Sequence, residues 1–131
     1  MIALDTNILV RFFMQDDPSQ LARVRAVMKS LSEKDPAWIG LAVVQELVWV
    51  LTSVYRAQRA DVLLVLDQMF TMREIVIEQA DVIRDAIRIY RATKVAFSDC
   101  LISASARAAG CTQTLTFDKE AAKSAGMILV I

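Results

Sequence analysis

The sequence predicts an α/β fold in three layers, with helices on both faces of a central parallel sheet of about five strands. Two observations carry this expectation. Short apolar runs alternate with longer segments of helical periodicity, the order that builds parallel sheets. The apolar runs also lack the polar alternation of a half-exposed strand, which suits strands buried on both sides. At 131 residues and 56% hydrophobic content, the chain is expected to form a single domain, residues 1–131, with a sizeable core.

Met1 to Leu4 is a short apolar run that stops at Asp5, read as a buried strand followed by a polar loop. Asp17-Pro18 starts a helix, because Asp17 can accept from free backbone N–H groups and Pro18 suits the first helical position. Leu21, Val24, Val27, Met28 and Leu31 then keep helical spacing, opposite Arg23, Arg25 and Lys29. Pro36 stops that helix, and Ala37-Trp38-Ile39 reads as a strand. Helical spacing resumes through Val43, Val44, Leu47, Val50, Leu51 and Val54, and again from about Ala60 to Met72. Ile75-Val76-Ile77 is β-branched and strand-like. A helix from about Gln79 to Thr93 follows, then one opened by Ser98-Asp99 and capped at Gly110. Thr112 to Phe117 is a strand, Asp118 to Ala125 a short helix closed by Gly126, and Met127 to Ile131 the last strand.

The composition excludes several chemistries. There is no histidine, which removes Ser-His-Asp and Cys-His catalysis, His-ligated zinc and haem on a proximal His. Cys100 and Cys111 alone cannot close a zinc site and are expected to be buried, reduced thiols of a cytoplasmic protein. Three glycines leave neither a P-loop nor a dinucleotide-binding turn. No basic region precedes an apolar stretch at the N-terminus, so no signal peptide is expected. The longest apolar run, Leu41 to Leu51, is broken by Gln45 and Glu46, so no membrane span is expected. Fifteen basic residues balance fifteen acidic ones, which gives no whole-molecule attraction to a polyanion.

In open parallel sheets the site lies beyond the carboxyl ends of the strands. Asp5 follows the first strand and Asp118 the fourth, while Asp99 stands in the first turn of a helix. Glu46 is set among Val43, Val44, Leu47 and Val48; it either points outward or, if buried, must find a partner or lose its charge. Each acid has a plainer role open to it: Asp5 and Asp118 as helix caps, Asp99 as an ordinary first-turn acid. Converging carboxylates, however, repel one another and call for a counter-charge. Without histidine that charge is a hard cation on oxygen ligands, Mg²⁺ or Mn²⁺. Such an ion can activate water and stabilise a phosphoryl group. The residues therefore point to metal-dependent phosphodiester hydrolysis.

The blocks Leu4-Asp5-Thr6-Asn7-Ile8-Leu9-Val10-Arg11, Val44-Gln45-Glu46-Leu47, Phe97-Ser98-Asp99-Cys100-Leu101-Ile102 and Leu115-Thr116-Phe117-Asp118-Lys119 resemble the four acidic blocks of the PIN-domain family. Their order, with Asp16-Asp17-Pro18, is most similar to its VapC-like toxins, and the resemblance covers essentially the whole chain. It implies a PIN-like α/β/α fold and an Mg²⁺- or Mn²⁺-dependent endoribonuclease, the toxin of a toxin–antitoxin pair. It assigns Asp5, Glu46 and Asp99 as core metal ligands and catalytic residues, with Asp118 binding the metal directly or through water. Asn7 and Thr116 fall in the same motifs as supporting residues that orient water or carboxylates. The resemblance also implies an RNA substrate, a small antitoxin as partner, and a homodimer. Cys100 stands where a small residue such as Ala is common, and Lys94-Val95-Ala96 lacks a glycine often found there.

Setting the four acids aside leaves 15 basic residues against 11 acidic. Arg11 and Lys119, beside the first and last blocks, are the expected phosphate contacts. Arg84, Arg88 and Arg91 form a stripe, read as a solvated face paired with Asp81 and Asp85. Trp38 and Trp49 are read as core. Leu63, Leu64, Leu66, Met69 and Phe70 exceed one thin helical stripe, so part of this helix, with its predecessor, is expected to make a homodimer or antitoxin groove. Two other functions compete: an inert binding module of the same fold, and a phosphohydrolase with Asp5 as nucleophile. Asn7, where that phosphohydrolase would have a second Asp, disfavours the latter.

Overall fold

A computed structural model describes all of residues 1–131. The chain forms two compact units, Met1–Glu78 and Gln79–Ile131. The first runs β1 (Ile2–Ala3), α1 (Thr6–Met14), α2 (Pro18–Ser30), β2 (Ala37–Ile39), α3 (Leu41–Ser53), α4 (Arg59–Thr71) and β3 (Ile75–Ile77). Its three strands form one parallel sheet in the order β1-β2-β3, with Ala3, Trp38 and Val76 in register.

Beyond each strand the chain turns straight into a helix. Asp5 keeps an extended backbone and accepts from the Thr6 N–H, which starts α1. The polar loop expected after Asp5 is therefore a nine-residue helix. Its Thr-Asn start lowers helix propensity, but burying Leu9 and Val10 outweighs that. Asp17 caps α2 by accepting from the Gln20 N–H, with Pro18 at the first helical position, as the sequence predicts. Only Val24 of α2 is buried; Leu21, Val27 and Met28 are partly exposed, so α2 is a peripheral helix.

The α3 N-terminus has no cap of its own, since Gly40 carries no side chain. Glu78, just past β3, supplies it: its Oε1 accepts from the Leu41 N–H at 2.7 Å. The Glu78 N–H in turn donates to Ile39 O at 2.9 Å. A Cβ on Gly40 would meet two ring carbons of Trp38 at 3.1 Å, so glycine here lets the indole pack over the turn. Trp38 is accordingly half-buried. Trp49 departs from the expected core position: it is 60% exposed on the outer face of α3. On α3 the inward stripe is Val44, Leu47, Val48 and Leu51, and residue 49 falls off that stripe.

The second unit runs α5 (Ala80–Ala92), α6 (Phe97–Ala108), β4 (Leu115–Thr116), α7 (Lys119–Ser124) and β5 (Ile128–Leu129). Tyr90 and Phe97 meet edge to face at 5.6 Å where α5 turns into α6. β4 and β5 form a parallel pair. Gly110 and Gly126 take positive φ after α6 and α7, the caps expected of them. The Ser103 hydroxyl donates to Ala125 O at 2.8 Å, tying α6 to the turn before β5.

All five expected strands are present and every pairing is parallel, in one three-stranded and one two-stranded sheet. β2 and β3 match the runs that mark them residue for residue, whereas β1, β4 and β5 are shorter than theirs. Two-sided burial is approached only in β2, the central strand of its sheet, where Ala37 and Ile39 are buried and Trp38 half-buried; Ile2, Val76, Leu115 and Ile128 are exposed. Of the cysteines, Cys100 is buried as expected, but Cys111 is exposed in the turn after α6.

Two substitutions test this frame by urea denaturation. Leu47→Ala, at a fully buried position, is expected to destabilise by about 2–5 kcal/mol through the cavity it leaves. Glu78→Ala is expected to cost about 0.5–2 kcal/mol by removing the α3 cap. Glu78→Gln, which keeps an acceptor, should retain most of the stability. Equal loss from both Glu78 variants would rule out the capping role.

Candidate active site

The sequence-derived acids divide between the units: Asp5 and Glu46 in the first, Asp99 and Asp118 in the second. Asp5 stands at the exit of β1, where the Leu4 N–H donates to Trp38 O at 3.1 Å and extends the ladder by one bond. Its Oδ1 accepts from the Thr6 N–H at 2.8 Å. Glu46 resolves the choice posed by its apolar neighbours: it is exposed, while Val44, Leu47 and Val48 turn inward. It therefore escapes the desolvation that burial would impose.

Asp99 is partly buried at the third position of α6. No side chain caps that helix, so its first turn offers free N–H groups and a positive dipole end to a carboxylate. Asp118 leaves β4 and caps α7: its Oδ1 accepts from the Glu120 and Ala121 N–H groups at 2.8 and 3.0 Å. Thr116 steadies this turn, its hydroxyl oxygen accepting from the Asp118 N–H at 3.0 Å. Asn7 is exposed in the first turn of α1. Lys119 is exposed at the start of α7.

The capping roles of Asp5 and Asp118 are thus real, and each leaves Oδ2 free of protein donors. None of the four acids takes part in a salt bridge, although Asp16, Asp35, Asp81 and Asp85 all do. An all-oxygen donor set left unpaired suits a hard divalent cation. Thr6, next to Asp5, holds a buried hydroxyl with no hydrogen-bond partner, and such an orphan marks a place where water or an ion belongs. The residues therefore fit an Mg²⁺ or Mn²⁺ ion in donor chemistry. No group of three or more His, Cys, Asp or Glu side chains is disposed in the structure to hold a metal ion.

The two groups of basic residues differ. On α5 and α6, Arg84 pairs with Asp81 at 3.3 Å, and Asp85 pairs with both Arg88 at 2.8 Å and Arg107 at 3.3 Å. This is the paired, solvated face the sequence suggests. Arg11 is held by a network the sequence does not reveal. Its Nη1 donates to Asp16 Oδ1 at 3.2 Å and to the Tyr55 hydroxyl at 3.1 Å, and its Nε donates to Gln20 Oε1. The Tyr55 hydroxyl donates to Asp16 Oδ2 at 2.8 Å.

That last bond draws the Asp16 carboxyl below the ordinary carboxylate range, with Arg11 adding to it. The same bond pushes the Tyr55 hydroxyl up. Two further residues carry signals that residue-type searches pass over. Phe117 lies between Thr116 and Asp118 and is 82% exposed. Arg23, on the exposed side of α2, has no acidic partner.

The signs of these shifts set a pH prediction. Asp16, with its folded value lowered, contributes stability above its unfolded value, near pH 4. That contribution is lost as pH falls through the folded value. Tyr55, with its folded value raised, contributes below about pH 10 and loses this as pH rises through its folded value. Tyr55→Phe should move the Asp16 titration upward, read from its carboxyl carbon shift by NMR. An unmoved titration would show that the hydroxyl does not hold Asp16.

The PIN domain family matches residues 2–126, a span that contains all four acids. A VapC ribonuclease of Aquifex aeolicus (strain VF5) is 27% identical over 120 residues, covering 91% of this chain and 88% of that protein. A match running from β1 through α7 and into the turn before β5 leaves little of the chain outside it. The chain belongs to the PIN domain family, whose three-layer α/β/α fold accounts for its alternating helices and parallel strands.

Proposed function

We propose that this protein is a metal-dependent endoribonuclease and the toxin of a toxin–antitoxin pair. The observation that carries the reading is the coincidence of PIN family membership over residues 2–126 with four acids that all remain free of salt bridges. The similarity to a VapC ribonuclease supports RNA as the substrate. Residues 1–131 would work as one PIN domain, with Asp5, Glu46, Asp99 and Asp118 brought to bear on a single phosphodiester.

In that reading, Asp5, Glu46 and Asp99 hold Mg²⁺ or Mn²⁺, and Asp118 holds it directly or through water. When bound, the ion supplies Lewis-acid stabilisation of phosphoryl charge and lowers the pKa of a water. The chain's own contribution is positioning. Capping fixes one oxygen of Asp5 and of Asp118 and leaves the other without a protein donor. Thr116 holds the Asp118 turn, and Asn7 supplies an exposed amide beside Asp5. Lys119 contributes a cation next to Asp118, where a substrate phosphate would meet it. Phe117 offers a flat apolar face on which a base can stack.

Of the α4 residues the sequence offers for a partner groove, Leu63, Leu66 and Met69 are buried in the core, Phe70 is half-buried and Leu64 is exposed; Leu64 with the exposed Trp49 and Val54 supports a surface for a second copy or an antitoxin. No helix is long and apolar enough to cross a membrane.

RNA cleavage assays test the proposal. Wild type is expected to cleave with Mg²⁺ or Mn²⁺, to stop on chelation and to recover when the ion is returned. Asp5→Asn and Asp99→Asn should each lower the rate on the order of a hundredfold or more, the scale of losing one electrostatic stabiliser in a phosphoryl or acyl transfer site. The double variant should be little worse than either single one, because ligands of one ion act as a unit. Undiminished cleavage by both single variants would remove the assignment. Absence of divalent-ion binding by calorimetry would favour an inert binding module instead.

A further inference from the structure

A second feature of the first unit lies beside Asp5 and is independent of the carboxylates. A cavity of about 270 Å³ opens between α1 and α2, lined by Asn7, Ile8, Arg11, Gln20, Arg23 and Val24. Its polar lining is dominated by donors. Arg11 Nε and Nη1 are committed to Gln20, Asp16 and Tyr55, which leaves both N–H groups of Nη2 unspent on a fork that cannot swing. Because a guanidinium only donates, the Gln20 atom it meets must be the oxygen, and the Gln20 amide NH₂ is left free. Arg23 brings a second guanidinium with no acidic partner.

The nearby acids do not line the cavity. Asp16 is engaged by Arg11 and Tyr55, and Asp17 by the Gln20 N–H and the Ser19 hydroxyl. Helix α2 itself, Pro18–Ser30, contains Arg23, Arg25 and Lys29 and no acid. Arg84 and Arg88 of α5, by contrast, already meet Asp81 and Asp85.

We infer that this cavity is a subsite for a phosphate and its ribose in single-stranded RNA, one step along the strand from the bond to be cut. Arg11 Nη2, Arg23 and the Gln20 amide grip the phosphate, and Ile8 with Val24 forms an aliphatic floor under the sugar. The volume falls just below the range of about 300–1,000 Å³ for pockets that enclose a whole ligand, which suits one backbone unit of a longer strand. Asn7 links the two places, since it lines the cavity and stands two residues from Asp5. Tyr55 and Asp16 act as positioning residues that hold the Arg11 fork. This inference rests on the ribonuclease reading for its substrate, and on the cavity alone for its location.

The test is binding of a fluorescein-labelled, mixed-sequence ten-nucleotide RNA in EDTA, where cleavage is silenced, followed by anisotropy from 50 to 200 mM KCl. Arg23→Ala is expected to weaken binding roughly 3- to 10-fold. It should also reduce the salt slope by about 0.7, the value for one lost phosphate contact on a single strand. Arg25→Ala removes the same charge from the same helix outside the cavity and should change affinity less than twofold. Equal effects of the two variants would reduce the cavity to general charge and overturn the proposal, as would no effect of Arg23→Ala.

Asp5→Asn separates this idea from the functional reading: it should abolish cleavage in Mg²⁺ while binding RNA at least as tightly as wild type. If Asp5→Asn cleaved normally and Arg23→Ala still lost affinity, the ribonuclease site would fall and the subsite would stand. Sedimentation of Arg23→Ala completes the set. A changed oligomeric state with unchanged RNA affinity would assign the cavity to a protein partner and overturn the proposal.

Discussion

The contact between a carboxylate and the free N–H groups of a helix that has just left a parallel strand sets the rest of the molecule. Asp5 meets this at the end of β1, and Asp118 at the end of β4. The contact does two things at once. It satisfies donors that a helix start cannot pair internally, and it holds a negative charge at the edge where an α/β protein keeps its chemistry. One oxygen of each group is thereby fixed and the other left free. A structural duty at these positions thus leaves room for a chemical one, because a carboxylate has enough lone pairs for both.

What the sequence reveals follows from the range of each interaction. Asp17-Pro18, Gly110 and Gly126 mark helix ends by chemistry confined to a few residues, and the structure agrees with all three. The first helix is legible only through the capping alternative for Asp5, because Thr6 and Asn7 resemble a loop and burial of Leu9 and Val10 is what makes α1 worth forming. Trp49 misleads for a related reason: a large apolar residue in an apolar run looks internal, whereas the helical phase around Leu47 and Leu51 turns it out. Strand burial was overestimated where strands lie at a sheet edge, as Ile2 and Val76 do.

The candidate site divides the same way. Asp5, Glu46, Asp99 and Asp118 stand out as candidates because each sits in a short motif. The outward direction of Glu46 needs the helix phase. The Arg11–Tyr55 bond spans 44 residues of chain, and no local pattern announces it. The Glu78 cap on α3 spans 37 and is equally silent, although an acid after a third strand is a signal of the kind that singled out Asp5. Arg11, read from its neighbourhood as a phosphate contact, turns out to have three of its five N–H donors occupied, and this is what gives the remaining pair a fixed direction.

The placement of the two indoles has a practical bearing on spectroscopy. Trp38 stacks over the Gly40 turn and Trp49 faces solvent, and both belong to the unit Met1–Glu78. Gln79–Ile131 holds no tryptophan. Emission excited at the red edge of indole absorption is therefore a private reporter of one half of the polypeptide. Melting of the other half would pass unseen in that channel and must be followed through the Tyr90–Phe97 pair or the amide backbone.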